Sequence, residues 1–250
     1  MVPTAWDTDR TGDNPLRLGL LRCDEIDERF RDLAPSALEL YRWTFETDGV
    51  RLVDYDVLAG ELPEDPDECD GWIITGSRAS VYDDEPWIRT LSEAVSRLHD
   101  ARAPIIGICF GHQLLAHALG GQTARSEQGW GIGAREFETR VEGLPSPVSL
   151  LMSHQDQVIE LPPSARVLGS SEYCPNAIFA IDDHAVGVQG HPEFTPEYMA
   201  ALLRSRTGRI GAEPVARALE SLDRETHGRE VAAWLVDFVR RARADVRPDD

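Results

Sequence analysis

The sequence predicts an α/β fold: a mostly parallel sheet with helices on both faces, continued by an antiparallel β extension. Three observations predict it. Strand-like and helix-like segments alternate from Leu16 to Gly121, short β-like segments crowd between Gln122 and Gln189, and the apolar run Pro104 to Ile108 turns at once into a helical stretch. Strand-helix alternation calls for parallel strands joined by crossover helices, whereas short strands separated by turns call for antiparallel pairing.

Leu16 to Arg22 reads as the first strand, and Ile26 to Glu46 as a helix, with apolar residues near every third or fourth position. Val50 to Val57 alternates as a second strand, Pro63 to Asp70 is an acidic, proline-containing loop, and Trp72 to Thr75 is the next strand. Pro86 to His99 has helical spacing, and Asp83-Asp84-Glu85 before it favours the positive end of the helix dipole. The strand Pro104 to Ile108 and its helix follow, ending at Gly120-Gly121. In the middle, Ile132 to Val141, Val148 to Met152, Arg166 to Ser170, Ala177 to Ile181 and Ala185 to Gln189 are β-like and suggest the antiparallel extension. Pro196 to Arg204 is helical, Gly208 to Gly228 holds another helical stretch, and Arg229 to Ala244 places Val231, Leu235, Phe238 and Val239 on one face, a stripe expected to pack on the core. One domain is expected, with a core over about 16–205, a C-terminal helical segment over 206–245, and frayed ends at Met1 to Asn14 and Val246 to Asp250.

Chemistry concentrates in two segments. In Pro104-Ile-Ile-Gly-Ile-Cys109-Phe-Gly-His-Gln113 the chain must reverse sharply from strand to helix, and Gly107 and Gly111 permit backbone approach where a Cβ would clash. Cys109 then lies at a helix N-terminus, where unpaired N–H groups and the dipole favour the thiolate. A buried structural cysteine is the plain alternative; the flanking glycines and the polar His112-Gln113 pair argue against it. Far downstream, Val186-Gly-Val-Gln-Gly-His191-Pro-Glu193 offers a base and a group to orient it. Pro192 biases His191 toward extended geometry, in which residues two apart point the same way, so Glu193 can hold one ring nitrogen while the other faces a thiol. A surface ion pair is the alternative for His191 and Glu193 taken alone.

Together the segments Gly107-Ile-Cys109-Phe-Gly-His-Gln113 and Gln189-Gly-His191-Pro-Glu193 resemble the class I glutamine amidotransferases, with weaker matches at Ile73-Ile-Thr-Gly76-Ser77 and Ser153-His-Gln-Asp156. The chain looks similar to stand-alone members that are like the amidotransferase domain of GMP synthase, and the likeness runs from about Leu16 to Ala201. The resemblance implies a three-layer, flavodoxin-like fold and a catalytic triad of Cys109, His191 and Glu193. It further implies oxyanion donors at Phe110 and Gly76, and a glutamine site at Gln113, Gln155 and Asp156. The implied reaction is hydrolysis of the glutamine side-chain amide through a γ-glutamyl thioester, with ammonia delivered to an acceptor on a separate synthetase subunit. Hydrolysis of a γ-glutamyl peptide or γ-glutamyl amine is the alternative; an inactive binding or regulatory homologue is a further one, against which the intact triad speaks. Trp130 and Tyr82 lie near these segments, and a pocket wall or plain packing explains them equally well.

Composition bounds the rest. No apolar run approaches the length of a membrane span, and the polar, acidic segment Met1 to Pro15 lacks the plan of a secretory signal, so a cytoplasmic protein with no membrane partner is expected. The 4 cysteines show no ligand-like spacing, so neither a metal site nor a disulfide framework is indicated. All 25 basic residues are arginine and face 44 acidic ones, a formal net charge of −19 that repels nucleic acid. Such acidity suggests adaptation to high salt, although a GC-rich genome would also replace lysine by arginine. Without lysine there is no P-loop, kinase-type or Schiff-base site, and no dinucleotide fingerprint occurs. No cofactor is expected; the partner is a small-molecule substrate.

Overall fold

The computed structural model describes residues 15–47 and 49–246; of the predicted frayed ends, 1–14 and 247–250 lie outside them, whereas Val246 is the last residue of a helix. The first half alternates as β1 (Leu16–Arg22), α1 (Ala37–Phe45), β2 (Val50–Asp56), β3 (Gly71–Ile74), α2 (Pro86–Asp100), β4 (Ile105–Ile108) and α3 (Phe110–Ala118). There follow β5 (Gln122–Arg125), β6 (Gly131–Thr139), β7 (Val148–His154), β8 (Asp156–Glu160), β9 (Ala165–Ser170), β10 (Ile178–Ile181) and β11 (Ala185–Val188). The chain closes with α4 (Pro196–Ser205), α5 (Thr207–Ile210), α6 (Ala212–Glu220) and α7 (Gly228–Val246).

Among the described residues, nine strands form one sheet in the order β2-β1-β3-β4-β11-β10-β9-β6-β7, and β5 pairs with β8 apart from it. The pairings from β2 through β11 are parallel, and those from β11 out to β7 are antiparallel. This is the flavodoxin-like order with an antiparallel extension, as expected. One strand changes place: Ala185 to Gln189 reads as part of the extension, yet β11 runs parallel to β4, with Gly187 opposite Gly107, and completes the parallel half. Its two buried faces and small residues fit the middle of a sheet.

Helices cover both faces. On one, α1 and the Val231, Leu235 and Val239 stripe of α7 pack on Leu18, Leu20, Ile73, Ile106 and Val186. On the other, Leu91 and Val95 of α2 and Leu114 and Leu115 of α3 pack on Leu21, Trp72, Ile74 and Ile105. Burial on both faces is why these strands read as near-continuous apolar runs.

The helix expected over Ile26 to Glu46 is interrupted. A 3-10 turn spans Glu28–Phe30, and α1 begins at Ala37 behind Ser36, whose hydroxyl accepts from the Glu39 N–H at 3.2 Å. Pro35 explains the break, since it has no N–H to donate and pushes the residue before it out of helical geometry. The resulting Asp24 to Phe30 segment crosses the C-terminal end of the sheet and becomes part of a pocket wall.

Candidate active site

Ligands of open parallel sheets bind beyond the carboxyl ends of the strands. Here β3, β4 and β11 end side by side, and each delivers a residue. Cys109 follows β4 with φ 53° and ψ −99°, a left-handed conformation that costs a non-glycine residue about 1–3 kcal/mol. The turn is held by neighbours: the Cys109 N–H donates to Val188 O at 2.9 Å, and the Gly111 N–H donates to Thr75 O at 3.2 Å. A Cβ on Gly107 would sit 2.4 Å from Gly111 O, and one on Gly111 would sit 2.3 Å from Ile74 O, so both positions require glycine. Phe110 opens α3, and its N–H, the first of the helix, has no intrahelical acceptor to reach.

Beyond β11 the chain passes Gln189 and Gly190, and the His191 N–H donates to Leu151 O at 2.8 Å, docking the segment on β7. His191 Nδ1 lies 2.7 Å from Glu193 Oε1, with both side chains buried. The ring of Phe194 stacks on the imidazole, with centroids 3.9 Å apart and planes 3° from parallel. Burial alone would lower the pKa of His191, but Cys109 and Glu193 outweigh it and raise it to about 10. Two of the groups flank Gly76, from which a Cβ would be 3.0 Å from His191 Cε1 and 3.7 Å from Cys109 Cβ. Cys109, His191 and Glu193 line one cavity of ≈ 270 Å³.

The other predicted residues sort less evenly. Gln113, Gln155 and Asp156 all line this cavity. The Gln113 amide nitrogen, however, donates to Asp156 O at 2.8 Å and to Gln189 Oε1 at 3.2 Å, so it ties down the β7–β8 connection. Ser80 Oγ donates to the Asp156 carboxylate across the pocket. Gly76 lies beside Cys109 and His191, but its N–H donates to Tyr41 Oη at 3.2 Å. Gly76 is therefore engaged in this state, and serving an oxyanion requires exchanging one acceptor for the other. Burial, then the charge of Glu193, hold the Tyr41 phenol well above its usual pKa, so it stays neutral.

His112 and His154 are buried and neutral. Burial lowers His112 to about 3 and His154 to about 4. His112 packs on Phe179, and His154 Nδ1 is 3.0 Å from Asp156 O, so both are structural. Away from the pocket, His99, Asp182 and His184 bring nitrogen and oxygen atoms within 4.8 Å of one another. The two imidazoles stack at 4.7 Å with Nε2 of His184 3.0 Å from Nδ1 of His99, a hydrogen-bonded, near-parallel pair that does not aim two lone pairs at one ion.

Sequence reasoning missed Tyr41, Phe194 and Arg206. Tyr41 reads as one more apolar position of α1, and Arg206 as one arginine among many. The sole signal for Phe194 is its adjacency to the His191-Pro192-Glu193 run. Trp130, left open between packing and pocket, lines the cavity, whereas Tyr82 is half exposed.

Known proteins resemble this chain in sequence and in fold. The chain is 34% identical over 169 residues to γ-glutamyl peptidase 3 of Arabidopsis thaliana, covering 62% of this chain and 68% of the peptidase. It is 40% identical over 128 residues to the glutamine-hydrolysing GMP synthase of Thermomicrobium roseum, covering 49% of this chain but only 23% of that protein. In fold it is similar to a glutamine amidotransferase from Thermotoga maritima, with a TM-score of 0.69, 22% identity, and coverage of 91% of this chain and 98% of the other. The family model for "Glutamine amidotransferase class-I" matches residues 41–206, from the tyrosine beside Gly76 to the arginine on the far pocket wall. The chain belongs to the class-I glutamine amidotransferase family.

Proposed function

We propose that this protein hydrolyses the γ-amide of glutamine, or of a γ-glutamyl compound, through a thioester on Cys109. One observation carries the reading: a cavity at the strand ends holds a thiol at a helix N-terminus, an imidazole beside it, and a carboxylate 2.7 Å from that imidazole. The Cys109 thiolate, its proton held on His191, adds to the amide carbon, and the carbonyl electron pair moves onto oxygen. The Phe110 N–H meets that oxyanion, and the Gly76 N–H joins it on leaving Tyr41. His191 passes its proton to the nitrogen, the C–N bond breaks, and ammonia or an amine departs. Water then gives a proton to His191 and attacks the thioester; the C–S bond breaks, restoring the Cys109 thiolate beside protonated His191 and releasing a γ-carboxylic acid, which loses its proton to solvent or to the departing ammonia or amine. Glu193 orients the ring throughout. Gln113, Gln155 and Asp156 bound the glutamyl end, Gln113 by positioning the loop.

With glutamine the released ammonia serves an acceptor on a separate synthetase subunit, a reading supported by the likeness to the amidotransferase portion of GMP synthases. The likeness to γ-glutamyl peptidases supports the second reading, in which an amine leaves and water is the acceptor. No described helix is long and apolar enough to cross a membrane, and 4 free thiols support a reducing, cytoplasmic setting.

Cys109→Ala tests the common step. It is expected to lower ammonia or amine release by at least about 10³-fold and to abolish labelling by a glutamine-like electrophile. Wild-type turnover by this variant would overturn the proposal. Activation of glutamine hydrolysis by lysate of the source organism would select the subunit reading.

A further inference from the structure

The cavity is incomplete in charge. Four of the carboxylates on its wall are ion-paired: Asp24 is gripped bidentately by Arg78, Glu25 pairs with Arg22, Asp27 with Arg29, and Glu193 with His191, while Asp156 accepts from the Ser80 hydroxyl. The opposite wall, built by the α4–α5 junction, carries two guanidinium groups with no acidic partner among the described residues. Arg206 donates from Nη1 to Ser153 Oγ at 2.7 Å and makes no ion pair. Arg209 lies 5.0 Å from the centre of the Trp130 ring, a cation–π contact that leaves its charge uncompensated. Burial outweighs the through-space pull of Tyr198, Cys109 and Asp24 on Arg206 and lowers its pKa, the reverse of Arg22 and Arg78, which their bonded carboxylates hold up.

A half-buried cation that lines a pocket and has a neutral hydroxyl as its one hydrogen-bond partner is costly unless an anion arrives. Glutamine does not answer this demand. Its α-ammonium and α-carboxylate cancel, so it brings no net negative charge to the half-buried Arg206, beside which Arg209 is exposed to solvent. A γ-glutamyl amino acid has the same zwitterionic end and adds one carboxylate on the leaving side. Guanidinium is the donor best shaped for that group, through paired N–H bonds.

We propose that Arg206, supported by Arg209, receives the carboxylate of the leaving amino acid, so that the preferred substrates are γ-glutamyl amino acids or short γ-glutamyl peptides. This rests on the γ-amide hydrolysis proposed above and names its substrate class. Arg206 sets specificity at the leaving group and takes no part in the proton transfers.

Binding separates this idea from catalysis. Calorimetry on Cys109→Ala protein, which holds substrate uncleaved, compares γ-glutamylglycine with γ-glutamylmethylamide, a compound lacking only the second carboxylate. The glycine compound is expected to bind at least about tenfold more tightly, in keeping with a charge-assisted bond. Adding Arg206→Gln should bring that ratio close to one, and Arg206→Lys should restore part of it, with melting curves confirming that each variant is folded. Equal affinity for the two compounds in the Arg206 protein, or a ratio untouched by Arg206→Gln, overturns the proposal. Release of glycine by the wild type tests Cys109 separately: carboxylate-dependent binding without turnover would sink the hydrolase reading and leave the Arg206 site standing.

Discussion

Glu193 holds one ring nitrogen of His191 and so leaves the other for the proton transfers proposed above, while Phe194 stacks on the ring from one side. Glu193→Gln keeps a side chain of the same shape but removes the negative charge that stabilises the imidazolium. Its kcat is expected to fall by about 10²–10⁴-fold, as for other orienting carboxylates, with KM little changed; a steady-state comparison of the two proteins checks this. Cys109, His191 and Glu193 were legible because each sits in a short run whose local geometry advertises it, a glycine-flanked strand end and a His-Pro-Glu turn. Tyr41 and Arg206 were not. Each reaches the pocket from a separate helix, and nothing within its own segment marks the approach of Gly76 to one or of Ser153 to the other.

At the level of elements, the elbow depends on α3 lying against the end of β3. A methyl group at Gly111 must displace the Ile74 carbonyl, which is itself part of the sheet. Gly111→Ala is expected to cost about 3 kcal/mol and to lower the melting temperature by roughly 10 °C, with loss of activity where the fold survives; thermal denaturation measures it. Most of the alternating half was readable, since apolar spacing and the charges before Pro86 act locally. The failures share a cause. Pro35 divides what periodicity joins, and β5 and β8 are polar strands whose pairing is antiparallel but distant, Gln122 opposite Glu160. The place of β11 depends on β4, some eighty residues earlier, and no local pattern reports a neighbour that far away.

Across the whole molecule, two buried neutral histidines contribute to the response to acid, alongside the Asp27, Glu68 and Asp183 carboxyls, which their partners hold below the usual range. Both folded-state pKa values lie below the ordinary 6.5, at about 3 for His112 and about 4 for His154. The unfolded chain therefore binds more protons between pH 6.5 and 4, and stability rises with pH across that window. Their contribution is complete above pH 6.5 and is lost as pH falls through the folded values. His191 works the other way: its raised pKa gives stability that is full below pH 6.5 and fades as pH climbs through about 10. Denaturant titrations at pH 7, 5 and 4 should show a steady fall in midpoint, and His112→Asn protein, if folded, a shallower one.

Burial treats the sulfur atoms unequally. It pushes the Cys23 and Cys174 thiols up to about 12 and raises Cys69 as well, while Cys109 opens onto the cavity. An alkylating reagent at neutral pH should thus act as a stoichiometric census of working sites, with one equivalent consumed by the native chain and 4 by the denatured one. A preparation's shortfall from unity would then read as its fraction of folded molecules with Cys109 already blocked or oxidised, and an excess as unfolded chain.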